Sequence, residues 1–418
     1  MIIQADTIMV RLDRVPLTDG AVVVKDGRVL ALGNAASMIR NYPGHRIMRL
    51  EQAVVMPGLV NVHAHLELPP LLDQVWAHTY ADWVLKLLKA KKRLTRRDYA
   101  AAARKNIASL IRSGTTTVAE ICTHGASSLA LKASGVRAVI YQEIISMVQD
   151  PRSLVLPRRG TVSRLVRYGF SPHSPHTVSE PALRAIKNVA SQRHIPLCMH
   201  VAETHEETLL LQRKKSRLER LYAAAGWDTS LAPEGRSSFE YLHRIGLLGP
   251  FFLAVHAVQA DNADIDLIKR TGTGVAHCPR SNREIGVGTM PMKKYLDAGI
   301  PVGFGTDSLA SVPTLNLWDE MRTALAIHRR VGITPRDIVQ VATLGGAQAL
   351  GMDNEIGSLE PGKKADCIAV PLPRRDTGDL CSDLLRETKT GIMTMVNGRV
   401  LYRDVAGGHG STNAYPLH

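Results

Sequence analysis

The sequence predicts an α/β protein in which a (β/α)8 TIM barrel carries a small β-sandwich built from both chain termini. Three observations lead there. Between about residues 57 and 350, eight short apolar segments alternate with helical stretches, the pattern of a parallel sheet with crossover helices. Both ends of the chain consist instead of short β-prone pieces with turn signals. Most of the eight apolar segments end in a histidine, an aspartate or another polar side chain, as expected where the strand ends of a barrel share one rim. A doubly wound open sheet is the alternative for the middle of the chain.

The 418 residues suffice for one large or two ordinary domains with a well-buried core. A hydrophobic content of 45% and a mean hydropathy of -0.05 are those of a globular protein. No segment approaches the roughly 18 uninterrupted apolar residues of a membrane span, and Met1 to Asp6 lack the basic and apolar regions of a signal peptide. A cytoplasmic protein with no membrane partner is therefore expected. Cysteines 122, 198, 278, 367 and 381 are odd in number and show no C-x-x-C spacing, which indicates neither a disulfide framework nor a cysteine zinc site. Basic residues number 52 against 38 acidic, a net charge of +14, which nucleic-acid binders, membrane-surface proteins and enzymes for anionic substrates share. The excess lies in short scattered runs, such as Lys89 to Arg93, Arg158-Arg159 and Arg213 to Lys215, that read as solvated faces. An aromatic content of 5% offers little for base stacking, so a small-molecule partner and no nucleic acid is the expectation.

Along the chain, residues 1–56 hold apolar runs such as Ala21 to Val24, followed by Asp26-Gly27, a hairpin signal. The style returns over 355–404, with Ala365 to Pro371 and Met393 to Tyr402, so these two stretches are assigned to one composite small domain. Residues 57–354 form the barrel domain, and 405–418, rich in glycine, read as a flexible tail. The barrel strands fall near Val60 to His65, Thr116 to Ile121, Arg137 to Ile144, Gly169 to His173, Leu197 to Val201, Phe252 to His256, Gly274 to His277, and Val302 to Gly305. Helices are expected over Thr95 to Arg112 and Glu180 to Gln192, and Gln212 to Gly249 is a long basic excursion of the kind that often covers a site.

The strand ends carry the chemistry. His63 and His65, one residue apart on a strand, point to one side, and neutral imidazole is the commonest metal ligand. Further strands end at His173, His200 with Glu203 three residues on, His256, His277 with Ser281 and Asn282, and Asp307-Ser308. Three histidines and an aspartate suit a divalent metal and leave a position for water. A glutamate just beyond a ligand histidine is placed to take a proton from that water. Glu67 either lines the pocket or holds a metal ligand in place from behind; Trp83 and Glu143 are further pocket candidates, while His176, His205, His243 and His328 receive no role.

These motifs, with Pro57-Gly58 before His63-Ala64-His65, His200 to Glu203, His256, Gly305 to Ser308, and the return through Gly357 to Asp366, resemble the amidohydrolase superfamily over nearly the whole chain. The similarity is to the branch of S-adenosylhomocysteine and methylthioadenosine deaminases, guanine deaminases and triazine hydrolases. It implies metal ligands at His63, His65, His200 and Asp307, catalytic roles for Glu203, His256 and Asp307, and substrate contact at His173; Ser308, Glu67, Trp83 and Glu143 are added as candidate contacts from the reading of the residues. It also implies one divalent metal per subunit, zinc before iron(II) or manganese, and a homodimer or larger assembly. Strand four ends at His173 and offers no lysine for a two-metal site.

Glu203 favours deamination of a cyclic amidine with release of ammonia. His65 to Leu68, Cys278 to Asn282 and Asp307 to Ser311 look most like 6-aminodeoxyfutalosine deaminases of the alternative menaquinone pathway, whose substrate carries a carboxylate that Arg152 or Arg280 would meet. Methylthioadenosine, S-adenosylhomocysteine or adenosine is the rival substrate, followed by guanine or a triazine. A basic barrel that binds without catalysis is the alternative from another class.

Overall fold

The computed structural model describes residues 1–156, 163–373 and 378–404. The tail expected at 405–418 and the Arg158-Arg159 run lie outside them. Eight strands, Leu59–Ala64, Thr115–Cys122, Arg137–Ile144, Val166–Pro172, Leu197–Val201, Phe252–His256, Gly274–His277 and Val302–Phe304, pair in sequence order as a parallel sheet. The first and last meet at a bridge from Ala64 to Asp307, where the Thr306 amide donates to the His63 carbonyl at 2.9 Å. Each stands within a few residues of its predicted position. The first two strands are buried along their whole length, as expected for a sheet covered on both faces.

Both chain ends build a second, seven-stranded mixed sheet, with Ile47–Pro57 pairing with Ile2–Ile8 on one side and Cys367–Pro371 on the other. Its hairpins turn on Asp26-Gly27 and Asn397-Gly398, whose positive φ angles of 51°, 76°, 50° and 75° give the turn that matches strand twist. Neighbouring Ile2 and Ile3 enter different apolar clusters, following the two-residue strand period. The sheet is tied to the barrel by a buried ion pair, with Arg137 Nε 2.7 Å from Asp366 Oδ2 and Arg137 Nη2 3.0 Å from Asp366 Oδ1.

Crossover helices cover the barrel. Arg96–Arg112 starts from a capping box in which the Thr95 hydroxyl accepts from the Asp98 amide while Asp98 reaches back to the Thr95 amide. Glu180–Gln192 runs over the predicted residues, opened by proline at its first turn. The excursion after the fifth strand folds into Glu219–Ala225 and Ser238–Arg244. Among the described residues no helix is long and apolar enough to cross a membrane.

Candidate active site

His63 and His65 emerge at the end of the first strand because the eighth strand passes close beside it. A side chain at Gly305 would place its Cβ 2.7 Å from the His63 Cβ, so that position has room only for glycine. His63 is fully buried, and both of its ring nitrogens lack a hydrogen-bond partner within the protein. Such orphaned nitrogens need an occupant. His200, from the fifth strand, faces the His173 carbonyl with Nδ1 at 2.9 Å, which makes Nδ1 the protonated nitrogen and leaves Nε2 a free lone pair. The ligand atoms of His63, His65 and His200 lie within 4.8 Å of one another. Asp307 Oδ1 stands 3.5 Å from His65 Nε2 and 3.7 Å from His63 Nε2.

These separations suit a shared divalent cation, because two ligand atoms each about 2 Å from one metal lie about 3–4 Å apart. Burial pushes His63 well below its usual range and His65 down to about 4, so both imidazoles are neutral, as ligands must be. Burial alone would raise Asp307, but His63 and His65 hold its carboxyl well below the usual range. Its other oxygen, Oδ2, accepts from Ser281 Oγ at 2.5 Å and Ser311 Oγ at 3.1 Å, which fixes the carboxylate plane. Asp307 has φ 57° and His256 φ 70°, left-handed conformations that non-glycine residues hold only where the surrounding structure enforces them.

Glu203 sits beside this cluster. Its Oε2 accepts from the Tyr80 hydroxyl at 2.9 Å, and its Oε1 lies 3.4 Å from His256 Nε2. His256 Nδ1 faces Asn282 Oδ1 at 2.8 Å, so Nδ1 carries the proton and Nε2 turns a lone pair towards the glutamate. Burial, opposed in part by His200, lifts Glu203 to about 7, where a carboxyl both binds and releases a proton near neutrality.

A cavity of about 290 Å³ opens over these groups. His65, His173, His200, Glu203, His256, Asp307 and Ser308 form its polar floor, and the predicted Trp83 and Glu143 also line it. His173 bonds through Nδ1 to Thr177 Oγ1 at 2.9 Å. The long excursion contributes Leu221, Ala225 and Trp227.

Three predicted contacts lie elsewhere. Glu67 is turned away and buried, accepting from the Thr123, His124 and Ser127 amides at 3.1, 2.7 and 3.0 Å; it anchors the loop after the second strand instead of meeting substrate. Arg280 is buried with Nη1 bound to Thr314 Oγ1 at 3.0 Å and 3.5 Å from Glu320 Oε1, so it is not available to a substrate carboxylate. Arg152 is exposed and paired with Asp150, outside the cavity. Ser281 and Asn282 act through Asp307 and His256, while His277 Nε2 lies 3.1 Å from His328 Nε2.

Sequence reasoning missed Tyr80, His176 and Lys91, which line the cavity. For Tyr80 and Lys91 a signal existed: Tyr80, Trp83, Val84, Leu87 and Lys91 follow the spacing of one helix face, and they share the helix Tyr80–Lys91.

Known proteins resemble this chain over most of its length. The 5'-deoxyadenosine deaminase of Methanosarcina barkeri is 29% identical over 413 residues, covering 94% of this chain and 90% of the relative. The 5-methylthioadenosine/S-adenosylhomocysteine deaminase of Syntrophobacter fumaroxidans is 30% identical over 370 residues, or 84% and 80% of the two chains. The crystal structure of Helicobacter pylori aminofutalosine deaminase in complex with methylthio-coformycin superposes with a TM-score of 0.85 at 20% identity, covering 96% of this chain and all of that one, a likeness of fold. The Amidohydrolase family model matches residues 54–401, a span that holds all eight barrel strands and every ligand and carboxylate of the cluster, and the chain thus belongs to the amidohydrolase family.

Proposed function

We propose that the protein deaminates an adenine nucleoside altered at the 5′ position, hydrolysing the bond between the ring carbon and its exocyclic nitrogen. The observation that carries this reading is Glu203, held beside the imidazole cluster by contacts with Tyr80 and His256 on the floor of the cavity. His63, His65, His200 and Asp307 would hold one divalent cation, for which zinc fits the nitrogen-rich donor set. Bound there, it supplies Lewis acidity that makes water a competent nucleophile near neutral pH.

The chain's own groups move the protons. Glu203 takes one from the attacking water and delivers it to the ring nitrogen beside the amine-bearing carbon. His256 Nε2 orients the water through its lone pair. The water oxygen bonds to the ring carbon, a second proton passes through Glu203 to the amine, and the carbon–nitrogen bond breaks with loss of ammonia. His173, at the edge of the floor, is assigned to the purine ring.

The apolar wall of Trp83, Val84, Leu87, Ile145, Leu221 and Trp227 accommodates a 5′-deoxy or 5′-thioether group, in keeping with the names of the two relatives. 6-Aminodeoxyfutalosine is the second reading, favoured by a lysine in the cavity able to meet its carboxylate. Ammonia release by the zinc-loaded enzyme from 5′-deoxyadenosine, methylthioadenosine, S-adenosylhomocysteine and 6-aminodeoxyfutalosine tests the proposal and ranks the substrates. Absence of ammonia from all four, or full turnover by E203Q, overturns it.

A further inference from the structure

Lys91 ends the helix whose first residue, Tyr80, touches Glu203. Eleven residues separate the two, about 16 Å along the helix axis. Lys91 thus enters the cavity from the helix end opposite Tyr80, and its ammonium group acts electrostatically on Glu143 and His65. Among the described residues it is the only lysine or arginine that lines the cavity. Its neighbours in the basic run, Lys89 and Lys92, are exposed, whereas Lys91 is half-buried. Among the described residues, its ammonium group has no hydrogen bond and no ion pair. A lysine has three donors to satisfy, and leaving a partly desolvated ammonium without an acceptor is unfavourable.

A charge of opposite sign in the cavity lining is Glu143. Burial would raise it, but His173, Lys91, His65 and the Thr123 hydroxyl hold it at about 2, so it stays ionised. Glu143 Oε2 accepts from Thr123 Oγ1 at 2.8 Å, and its remaining lone pairs are open to donors such as sugar hydroxyls. The two side chains do not touch, which leaves Lys91 open to an acceptor brought by the substrate.

We propose that Lys91 is a specificity residue that selects substrates bearing a carboxylate at the end remote from the adenine, an inference that rests on the deaminase function above. The carboxylate docks on the ammonium after crossing the apolar wall, and neutral 5′-deoxy or methylthio groups leave the lysine unpaired. Because the group is half-buried and near solvent, the preference weakens as salt rises.

The test compares, in the zinc-loaded enzyme, 5′-S-(3-carboxypropyl)-5′-thioadenosine, its methyl ester and 5′-amino-5′-deoxyadenosine. A 5′-linked benzoate distinguishes an aryl from an alkyl carboxylate. The expected result is a preference in kcat/KM for carboxylates over the ester of roughly tenfold, expressed in KM and reduced by salt. K91M loses this preference and K91R retains it. The ratio is taken within one preparation, so incomplete folding of a variant does not alter it. Equal use of acid and ester, preference for the amine, or an undiminished ratio in K91M overturns the assignment of Lys91 alone. If none of these nucleosides releases ammonia, the deaminase function fails, and the assignment with it.

Discussion

Replacing Tyr80 by phenylalanine removes one hydroxyl from the site and little else. That hydroxyl donates to Glu203 Oε2 at 2.9 Å from a buried ring. Burial and the adjacent Glu203 push Tyr80 itself well above its usual range, so it remains a donor at every working pH. A hydrogen bond to a charged acceptor contributes about 1.5–3 kcal/mol, and one pKa unit corresponds to about 1.4 kcal/mol, so losing the donor raises Glu203 by about one to two units. Glu203 accepts the water's proton only when ionised, so activity falls as pH drops through its pKa. Burial sets that value at about 7, and a bound cation draws it lower. In Y80F the acid limb of the kcat/KM profile for a nucleoside substrate therefore moves up by about one to two pH units, with rates below the limb reduced about 10- to 100-fold and recovered at higher pH. A Y80F profile that superimposes on the wild type, or a uniform loss at all pH values, refutes the role of this hydrogen bond.

Other perturbations follow from the same contacts. Chelation abolishes ammonia release, and added zinc restores it; the unfolding temperature falls by several degrees in parallel, because His63 is left buried without a partner. In E67A three backbone amides lose their acceptor, so urea unfolding shows a loss of roughly 2–4 kcal/mol while KM stays near the wild-type value. A large rise in KM without destabilisation would return Glu67 to the substrate site. R137M leaves Asp366 buried without its ion pair and destabilises the protein by roughly 3–5 kcal/mol; the double variant with D366L recovers much of the loss in the same unfolding assay.

The barrel was legible because each strand is a short apolar run bounded by turn signals, and burial on both faces makes that pattern continuous. The cluster residues were legible for a related reason. His63 and His65, or His200 and Glu203, are near neighbours on one strand or at its end, so local geometry alone sets their relation. The substrate contacts were less so. Glu67 follows the ligand pair by two residues, yet the chain leaves the strand after Ala64, and the side chain swings to the amides of the next loop. Arg280 and Arg152 carry the charge a carboxylate needs, but one is spent on Glu320 and Thr314 and the other on Asp150.

By itself the sequence determined which residues could bind a cation or move a proton, because that follows from side-chain chemistry and spacings of a few residues. Only the tertiary structure decided which face of the helix Tyr80–Lys91 turns inward, placing Tyr80 on Glu203 and Lys91 in the cavity. That orientation depends on contacts distant in sequence, such as the Asp82–Arg220 pair at 2.7 Å that joins the helix to the excursion. Periodicity reveals that a helix has faces; packing against the remainder of the chain selects the one that meets the substrate.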